Sequence, residues 1–194
     1  MIVIDGLNIA YGDAAVLKDC SLQVKSGSRI ALMGPSGCGK TTLINAIAGL
    51  IAPDSGTIQV NGKVSYVFQE PALFPWLTAA ENVNVVLSDK PETLPQARKW
   101  LEEAGLSDSL DKYPHQLSGG QKQRVAICRA LAFGGEILLL DEPLKGLDPD
   151  TRDRVAQLIL RESRDKTLLL VTHDQWEAQR FCQTVLTYHN GQFE

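Results

Sequence analysis

A run of eight residues in the first quarter of the chain has the composition of a phosphate-binding loop. It reads Gly34-Pro35-Ser36-Gly37-Cys38-Gly39-Lys40-Thr41, and Thr42 follows it. Glycines let backbone N–H groups turn toward an anion, and a helix that begins after the loop adds its positive end. The Lys40 ammonium would reach the β- and γ-phosphates, and the Thr41 hydroxyl suits Mg²⁺. The pattern predicts a nucleotide site. The alternative is a glycine-rich turn with a surface lysine.

A second segment, far downstream, also has the features of an anion site. It reads Leu117-Ser118-Gly119-Gly120-Gln121. A serine at the N-cap with a glutamine three residues later fits a capping box. A cap does not require the two glycines, which weaken a helix, so we expect a ligand to approach the backbone closely there. A γ-phosphate at the helix N-terminus would explain them, although one phosphate-binding loop has no use for a second site.

Two adjacent acidic residues follow the aliphatic run 137–140. Asp141 would lie at the dry end of a strand, where its carboxylate suits Mg²⁺, usually through water. Glu142 is the better candidate for polarising the attacking water. Because neighbouring residues on a strand point in opposite directions, the two acids can have different roles. The alternative is a solvated turn before Pro143.

Three single residues are weaker candidates. Gln69 follows the predicted strand 64–68 and His173 follows the run 168–171, so each could contact the γ-phosphate, magnesium or water. Tyr11 could stack on adenine. From the residues alone, each of the three is more readily explained as structural.

Short apolar runs predict the strands that would position these groups. Three buried strands, each followed at once by polar residues, are predicted at 30–33, 137–140 and 168–171. Ligands of open α/β sheets bind beyond the carboxyl ends of the strands, so we expect the three polar groups to converge. Further strands are predicted at 3–9, 21–24, 57–60 and 64–68, with hairpins at Asn61-Gly62 and Asn190-Gly191.

Helices are predicted between these strands. One continues from the glycine loop through 46–50, and another covers 96–103 inside a proline-rich stretch, 70–117, that we interpret as a helical insert. A third helix begins at Ser118. Asp148 and the proline after it are a favourable N-cap and first-turn pair for a fourth.

Composition narrows the classes of partner. The net charge is −4 and no basic stripe is present, so nucleic acid is not an expected ligand. The four cysteines, at 20, 38, 128 and 182, have no metal spacing and are expected to be reduced thiols in a cytoplasmic protein. There is no signal-peptide pattern and no apolar run long enough to cross a bilayer, so we expect any link to a membrane to go through a partner.

Together these motifs resemble the ATP-binding subunit of an ATP-binding cassette (ABC) transporter, nearly end to end. Residues 34–41 match the Walker A motif, 137–141 match Walker B with Glu142 as the catalytic glutamate, and 117–121 match the family signature. The Q-loop, D-loop, H-loop and adenine-stacking positions fall at Gln69, Asp148, His173 and Tyr11. Segment 68–78 is most similar to importers of nitrate, sulfonate and taurine.

The resemblance implies an α/β P-loop NTPase with a RecA-like core and a mainly parallel sheet. An N-terminal antiparallel β-subdomain and an α-helical insert that carries the signature complete the expected fold. The expected single domain, 1–194, divides into a core at 1–69 and 125–194 and a helical subdomain at about 70–124. The implied cofactors are ATP and Mg²⁺. The implied catalytic residues are Glu142, His173 and Gln69, and the implied metal ligands are Thr41, Gln69 and Asp141. The implied cofactor-binding residues are Tyr11, 34–42, Asp141, 118–121 and Asp148.

The resemblance also implies partners. Two subunits would face each other head to tail, each ATP lying between one copy's Walker motifs and the other copy's signature, which explains the second anion site. An integral-membrane permease and a substrate-binding protein are implied, with this subunit peripheral on the cytoplasmic face of the inner membrane. Lys145 departs from the small residue usual before the D-loop. Alternatives are a non-transport cassette protein, which typically has paired cassettes or coiled coils, and a small P-loop kinase, against which the signature argues.

Overall fold

The computed structural model describes residues 1–12, 14–189 and 192–193. The chain forms two compact units, the first made of Met1–Tyr66, Glu136–Glu142 and Asp165–Glu194, the second of Val67–Gly135 and Pro143–Arg164. The division predicted from the sequence differs, because it assigned 125–135 and 143–164 to the core. Those residues form two helices that pack with the helices of the insert, so the second unit is larger than the insert alone.

The first unit begins with a three-stranded antiparallel sheet. Its strands are β1 (Ile2–Tyr11), β2 (Ala14–Val24) and β4 (Ser55–Val60), in the order β2-β1-β4. Alternate residues of β1, such as Ile2 and Ile4, are buried while Asp5 is exposed, which is the period of a half-buried strand. The predicted antiparallel subdomain is confirmed.

A second sheet contains six strands in the order β5-β6-β7-β3-β8-β9. They are β3 (Arg29–Met33), β5 (Val64–Val67), β6 (Ile137–Asp141), β7 (Thr167–Val171), β8 (Thr184–His189) and β9 (Gln192–Phe193). Strands β6, β7, β3 and β8 are parallel, and β9 pairs antiparallel with β8. Every residue of β6 and β7 is buried, which explains why these strands are continuous aliphatic runs.

The predicted hairpin at Asn61-Gly62 is wrong. β4 pairs with β1, with Ile2 opposite Val60, whereas β5 lies beside β6 in the other sheet. The Asn61 N–H donates to the Met1 carbonyl at 2.9 Å, so the segment passes the chain from one sheet to the other. The turn of the last predicted hairpin, Asn190-Gly191, lies outside the described residues, and the strands on either side of it pair antiparallel.

Two helices belong to the first unit, α1 (Lys40–Ile47) and α6 (Gln175–Phe181). The buried face of α1, including Leu43 and Ile44, packs in one apolar cluster with β1, β2, β3, β6 and β7. The helix ends earlier than the predicted 46–50, because Gly49 has φ +74° and the chain turns there.

The second unit is helical. Its helices are α2 (Ala79–Asn84), α3 (Leu94–Glu103), α4 (Gly119–Phe133) and α5 (Pro149–Glu162). Ser118 caps α4 and Asp148 caps α5, as the sequence predicts, and Gly134 ends α4 with φ +70°. In the part of the chain that the structure describes, no helix is both long and apolar enough to span a bilayer.

Candidate active site

Three groups of polar residues meet at one edge of the six-stranded sheet. Strands β3, β6 and β7 are parallel, with Asp141 opposite Val171 and Val171 opposite Leu32. The Glu142 N–H donates to the Val171 carbonyl at 2.8 Å, and the Thr172 N–H donates to the Leu32 carbonyl at 3.3 Å. The glycine loop, the acidic pair and the segment containing His173 therefore leave the sheet at the same edge, which confirms the predicted convergence.

The glycine loop folds around the Lys40 ammonium. Lys40 Nζ donates to the Gly34 and Pro35 carbonyls, both at 2.8 Å, and lies 3.6 Å from Cys38 Sγ. The lysine is buried, and no side chain caps α1. A cation enclosed by the loop and the first N–H groups of a helix form a site suited to phosphate.

At two positions of the loop, neighbouring residues lie so close to the backbone that only glycine fits. Gly39 has φ +98°, and a β-carbon there would lie 2.7 Å from Leu17 Cδ2 and 3.2 Å from the Val16 carbonyl. Gly34 has φ +154°, and a β-carbon there would lie 2.8 Å from the β-carbon of Tyr188. Strand β2 and strand β8 thus hold the loop against the sheet, and a side chain at either position would displace it.

Asp141 is buried at the end of β6. Nearby, the Tyr66 hydroxyl donates to Asn45 Oδ1 at 2.8 Å, and burial followed by the negative charge of Asp141 raises the pKa of Tyr66. Asn45 lies one turn beyond Thr41 on α1, and the Thr41 side chain is exposed. The hydroxyl of Thr41 and the carboxylate of Asp141 are hard oxygen donors of the kind Mg²⁺ prefers, so the residues present fit this ion.

Glu142 and His173 form a direct pair. His173 Nδ1 lies 3.0 Å from Glu142 Oε1. Glu142 has φ +45°, a left-handed conformation that is uncommon for a glutamate and typical of functional sites. The Glu142 side chain is mostly buried while His173 is exposed, so the carboxylate is fixed from the solvent side by the imidazole.

The signature segment forms the capping box predicted for it. Ser118 Oγ accepts from the Gln121 N–H at 3.3 Å, and Gln121 Oε1 accepts from the Ser118 N–H at 2.8 Å. The other end of the Gln121 amide donates to Ser109 Oγ at 3.2 Å. Gln121 therefore fixes the start of α4 with both ends of its side chain, and its predicted contact with a cofactor stays a prediction.

The two signature glycines differ in their surroundings. A β-carbon on Gly120 would lie 3.1 Å from Leu147 Cδ2, so this glycine is explained by packing against the segment before Asp148. A β-carbon on Gly119 would meet no atom within 4 Å. The fold of a single chain therefore explains the absence of a side chain at Gly120 but not at Gly119.

The remaining candidates lie on the two units as follows. Tyr11 ends β1 and is 54% exposed, which suits a stacking surface better than a core role. Thr42 is buried in α1. In the helical unit, Gln69 is exposed after β5, and Asp148 is exposed at the start of α5. Hydrogen bonds from Thr151 hold the pKa of Asp148 below its usual value.

The sequence analysis did not identify several residues that lie next to the candidate site residues. One is Tyr66 with its partner Asn45, beside Asp141. Another is Gln123, a buried polar residue whose Nε2 donates to the Pro143 carbonyl at 3.2 Å, directly after Glu142. The available signals were a tyrosine inside a short strand and a glutamine on the apolar side of α4, and neither pattern is specific.

Comparison with known proteins gives the family. Residues 17–145 match the ABC transporter family. The chain is 42% identical to the sulfate/thiosulfate import ATP-binding protein CysA 2 of Chromobacterium violaceum, over 95% of this chain and 55% of that protein. It is 43% identical to the aliphatic sulfonates import ATP-binding protein SsuB 2 of Agrobacterium fabrum, over 96% of this chain and 75% of that protein. The chain thus spans little more than half of the first relative's length.

A solved structure agrees with these relatives. A dimeric ATP-binding cassette in a post-hydrolysis state, bound to ADP and Pi, superposes with a TM-score of 0.90 and 33% identity, over 100% of this chain and 97% of that one. The fold is that of a P-loop NTPase cassette, with its mixed sheet, antiparallel N-terminal sheet and helices. The chain belongs to the ABC transporter family.

Proposed function

We propose that this chain is the ATP-hydrolysing subunit of a solute importer and that it acts as a pair of copies. The observation that supports the proposal is that two separate segments of one chain have features suited to an anion. One is the glycine loop around Lys40, and the other is the start of α4, where Gly119 leaves open space. A head-to-tail pair gives each site a phosphate to bind.

Each copy would bind ATP with its own loop. The Lys40 ammonium, now held by the Gly34 and Pro35 carbonyls, would move to the β- and γ-phosphates when these arrive. The exposed Tyr11 ring would stack on adenine. Thr41, Gln69 and Asp141 are the residues that would hold Mg²⁺, which neutralises charge on the phosphates when bound.

Glu142 would orient and polarise the attacking water. Its carboxylate is positioned by the 3.0 Å contact with His173 and by the hydrogen bond from its own N–H to the Val171 carbonyl. Because phosphoryl transfer depends mainly on positioning and charge stabilisation, a fixed carboxylate and fixed backbone donors are the chemistry the site needs.

The start of α4 would complete the partner copy's site. The N–H groups of Gly119 and Gly120 and the Ser118 hydroxyl would face the γ-phosphate bound to the other copy, and Asp148 would lie in the same contact. Ser118 Oγ now accepts a hydrogen bond from the Gln121 N–H at 3.3 Å. Its own O–H can therefore still donate a hydrogen bond to a phosphate oxygen.

A patch on the helical unit is the proposed contact with a membrane permease. Phe74 is 38% exposed and Trp76 is 69% exposed, with their ring centroids 5.7 Å apart. The Arg129 guanidinium lies 5.6 Å from the Phe74 ring centroid and donates to the Ala72 carbonyl at 3.0 Å, which fixes the segment. Two adjacent exposed aromatic rings are consistent with a contact surface for another protein.

The remaining proposals concern the location of the subunit, its partners and the solute. The subunit would lie at the cytoplasmic face of the inner membrane, bound to its permease, with a substrate-binding protein supplying the solute. The relatives compared above are named as import proteins for sulfate, thiosulfate and sulfonates, so the proposed solute is a small oxyanion.

Two measurements test the proposal. Phosphate release from ATP without an added acceptor should be measured for the purified chain and for Glu142→Gln, and we expect turnover only in the former. A tagged chain expressed in its host should co-purify with a polytopic membrane protein. Wild-type turnover by Glu142→Gln, or capture of ribosomes in place of a membrane protein, would contradict the proposal.

A further inference from the structure

The side chain of Arg124 joins separate segments of the helical unit. Arg124 lies on α4, just beyond the signature. Its Nε donates to the Gly120 carbonyl at 3.3 Å, and its Nη1 donates to the Ala104 and Gly105 carbonyls at 3.0 and 2.9 Å. One guanidinium therefore links the first turn of α4 to the turn that ends α3.

A third segment is linked to the same guanidinium by charge. Burial lowers the pKa of Arg124, and the negative charge of Asp148 acts in the opposite direction. Arg154 on α5 also approaches this turn, because a β-carbon on Gly105 would be 2.8 Å from Arg154 Nη1 and 3.3 Å from Arg124 Nη1. Gly105 has φ +73°, a left-handed backbone conformation that favours glycine at this turn.

The signature and the segment before Asp148 also touch directly. A β-carbon on Gly120 would lie 3.1 Å from Leu147 Cδ2, so these two pieces of backbone are packed closely. Arg124 donates a hydrogen bond to the Gly120 carbonyl, and the negative charge of Asp148 acts on the Arg124 guanidinium. Arg124 and Leu147 thus both contact the signature at Gly120.

We propose that Arg124 is a positioning residue that holds the signature backbone in the orientation needed to receive the partner copy's phosphate. This inference rests on the proposed function, in which the signature serves the other copy. A guanidinium has donors in a rigid fork, so it can bond Gly120 and the 104–105 turn at once. A lysine ammonium concentrates its three donors on one atom and lacks this fork, so it should hold these partners less well.

The test separates closure of the pair from ATP binding by one copy. In a Glu142→Gln background, the ATP concentration that gives half-maximal pairing should be measured by light scattering. ATP affinity of a single copy should be measured at protein concentrations too low for pairing, with a fluorescent ATP analogue. The variants are Arg124→Ala, Arg124→Lys and the control Arg98→Ala, which removes an arginine from the exposed ion pair with Asp111.

We expect Arg124→Ala to raise the ATP concentration for half-maximal pairing at least about tenfold, as loss of a charged hydrogen-bond donor predicts. Arg124→Lys should give a smaller increase, and Arg98→Ala should stay within about twofold of the background. The ATP affinity of a single copy should be unchanged in all three variants. A general loss of structure would instead lower this affinity.

Three results would overturn the inference. One is pairing by Arg124→Ala at the same ATP concentration as Arg98→Ala. Another is loss of single-copy ATP binding by a folded Arg124→Ala, because the residue would then act in its own site. If Arg124→Ala does not fold, Arg124→Lys is used in its place. The third result is pairing of Arg124→Lys at the same ATP concentration as the Glu142→Gln background. Failure of Glu142→Gln alone to pair would instead refute the proposed function, and this inference would fall with it.

Discussion

Gly119→Ala should make the chain more stable and less active. Gly119 is exposed at the first position of α4, and its φ is not in the left-handed region. A methyl group there meets no atom within 4 Å, so it introduces no clash. Replacing a helical glycine by alanine stabilises by roughly 0.5–1 kcal/mol, and we expect a gain near the lower value at a helix end.

The same methyl group should obstruct the partner's ATP. It would stand where a γ-phosphate must approach the N–H groups of α4, and loss of one hydrogen bond to a charged group costs about 1.5–3 kcal/mol. Because each 1.36 kcal/mol is tenfold in rate, turnover should fall roughly 10- to 150-fold. ATP binding by a single copy should change by less than about twofold, since Gly119 is outside its own loop.

Three assays on Gly119→Ala and Gly120→Ala test this reasoning. Urea unfolding gives stability, phosphate release gives turnover, and a fluorescent ATP analogue gives single-copy affinity. Gly120→Ala is the comparison, because its methyl group must push Leu147 aside and should stabilise less than Gly119→Ala or destabilise. Wild-type turnover by a stable Gly119→Ala would refute the claim that a ligand approaches this backbone.

Three further predictions concern other parts of the chain. His173→Ala removes the contact with Glu142 and should lower kcat roughly 10- to 100-fold at unchanged ATP affinity, and an unchanged kcat in steady-state assays would contradict the assigned role. Burial raises the pKa of Cys20 to about 11 and of Cys128 and Cys182 to about 12, so these thiols stay protonated at pH 8. Maleimide should therefore label Cys38 first and ATP should protect it, and mass spectrometry that found another cysteine labelled first would oppose this. Trp76→Ala should change the free energy of unfolding by less than about 0.5 kcal/mol but reduce co-purification of the permease, and undiminished capture would remove Trp76 from that surface.

Strands β6 and β7 could be predicted because every one of their residues is buried. The aliphatic runs at 137–140 and 168–171 have one explanation, parallel strands inside a sheet, and the polar residues after them necessarily lie at its edge. The helix caps Ser118 and Asp148 could also be predicted from the sequence, because capping depends on residues only three positions apart.

The errors came from interactions that no local pattern contains. Asn61-Gly62 has the composition of a hairpin turn, but β4 is paired with β1, so β5 has to join the other sheet. The sequence likewise contains no sign that Gly120 lies close to Leu147 or that Arg124 donates to the carbonyls of the 104–105 turn. Each of these contacts joins residues distant in the chain, which a single sequence does not connect.

The central claim is that ATP joins two copies of this chain. Glu142→Gln, which we expect to bind ATP without cleaving it, should be examined by sedimentation at high protein concentration with ATP and Mg²⁺. We predict that the mass doubles with ATP and returns to that of one copy with ADP. A single copy under both conditions, with ATP binding demonstrated in the same sample, would contradict the account.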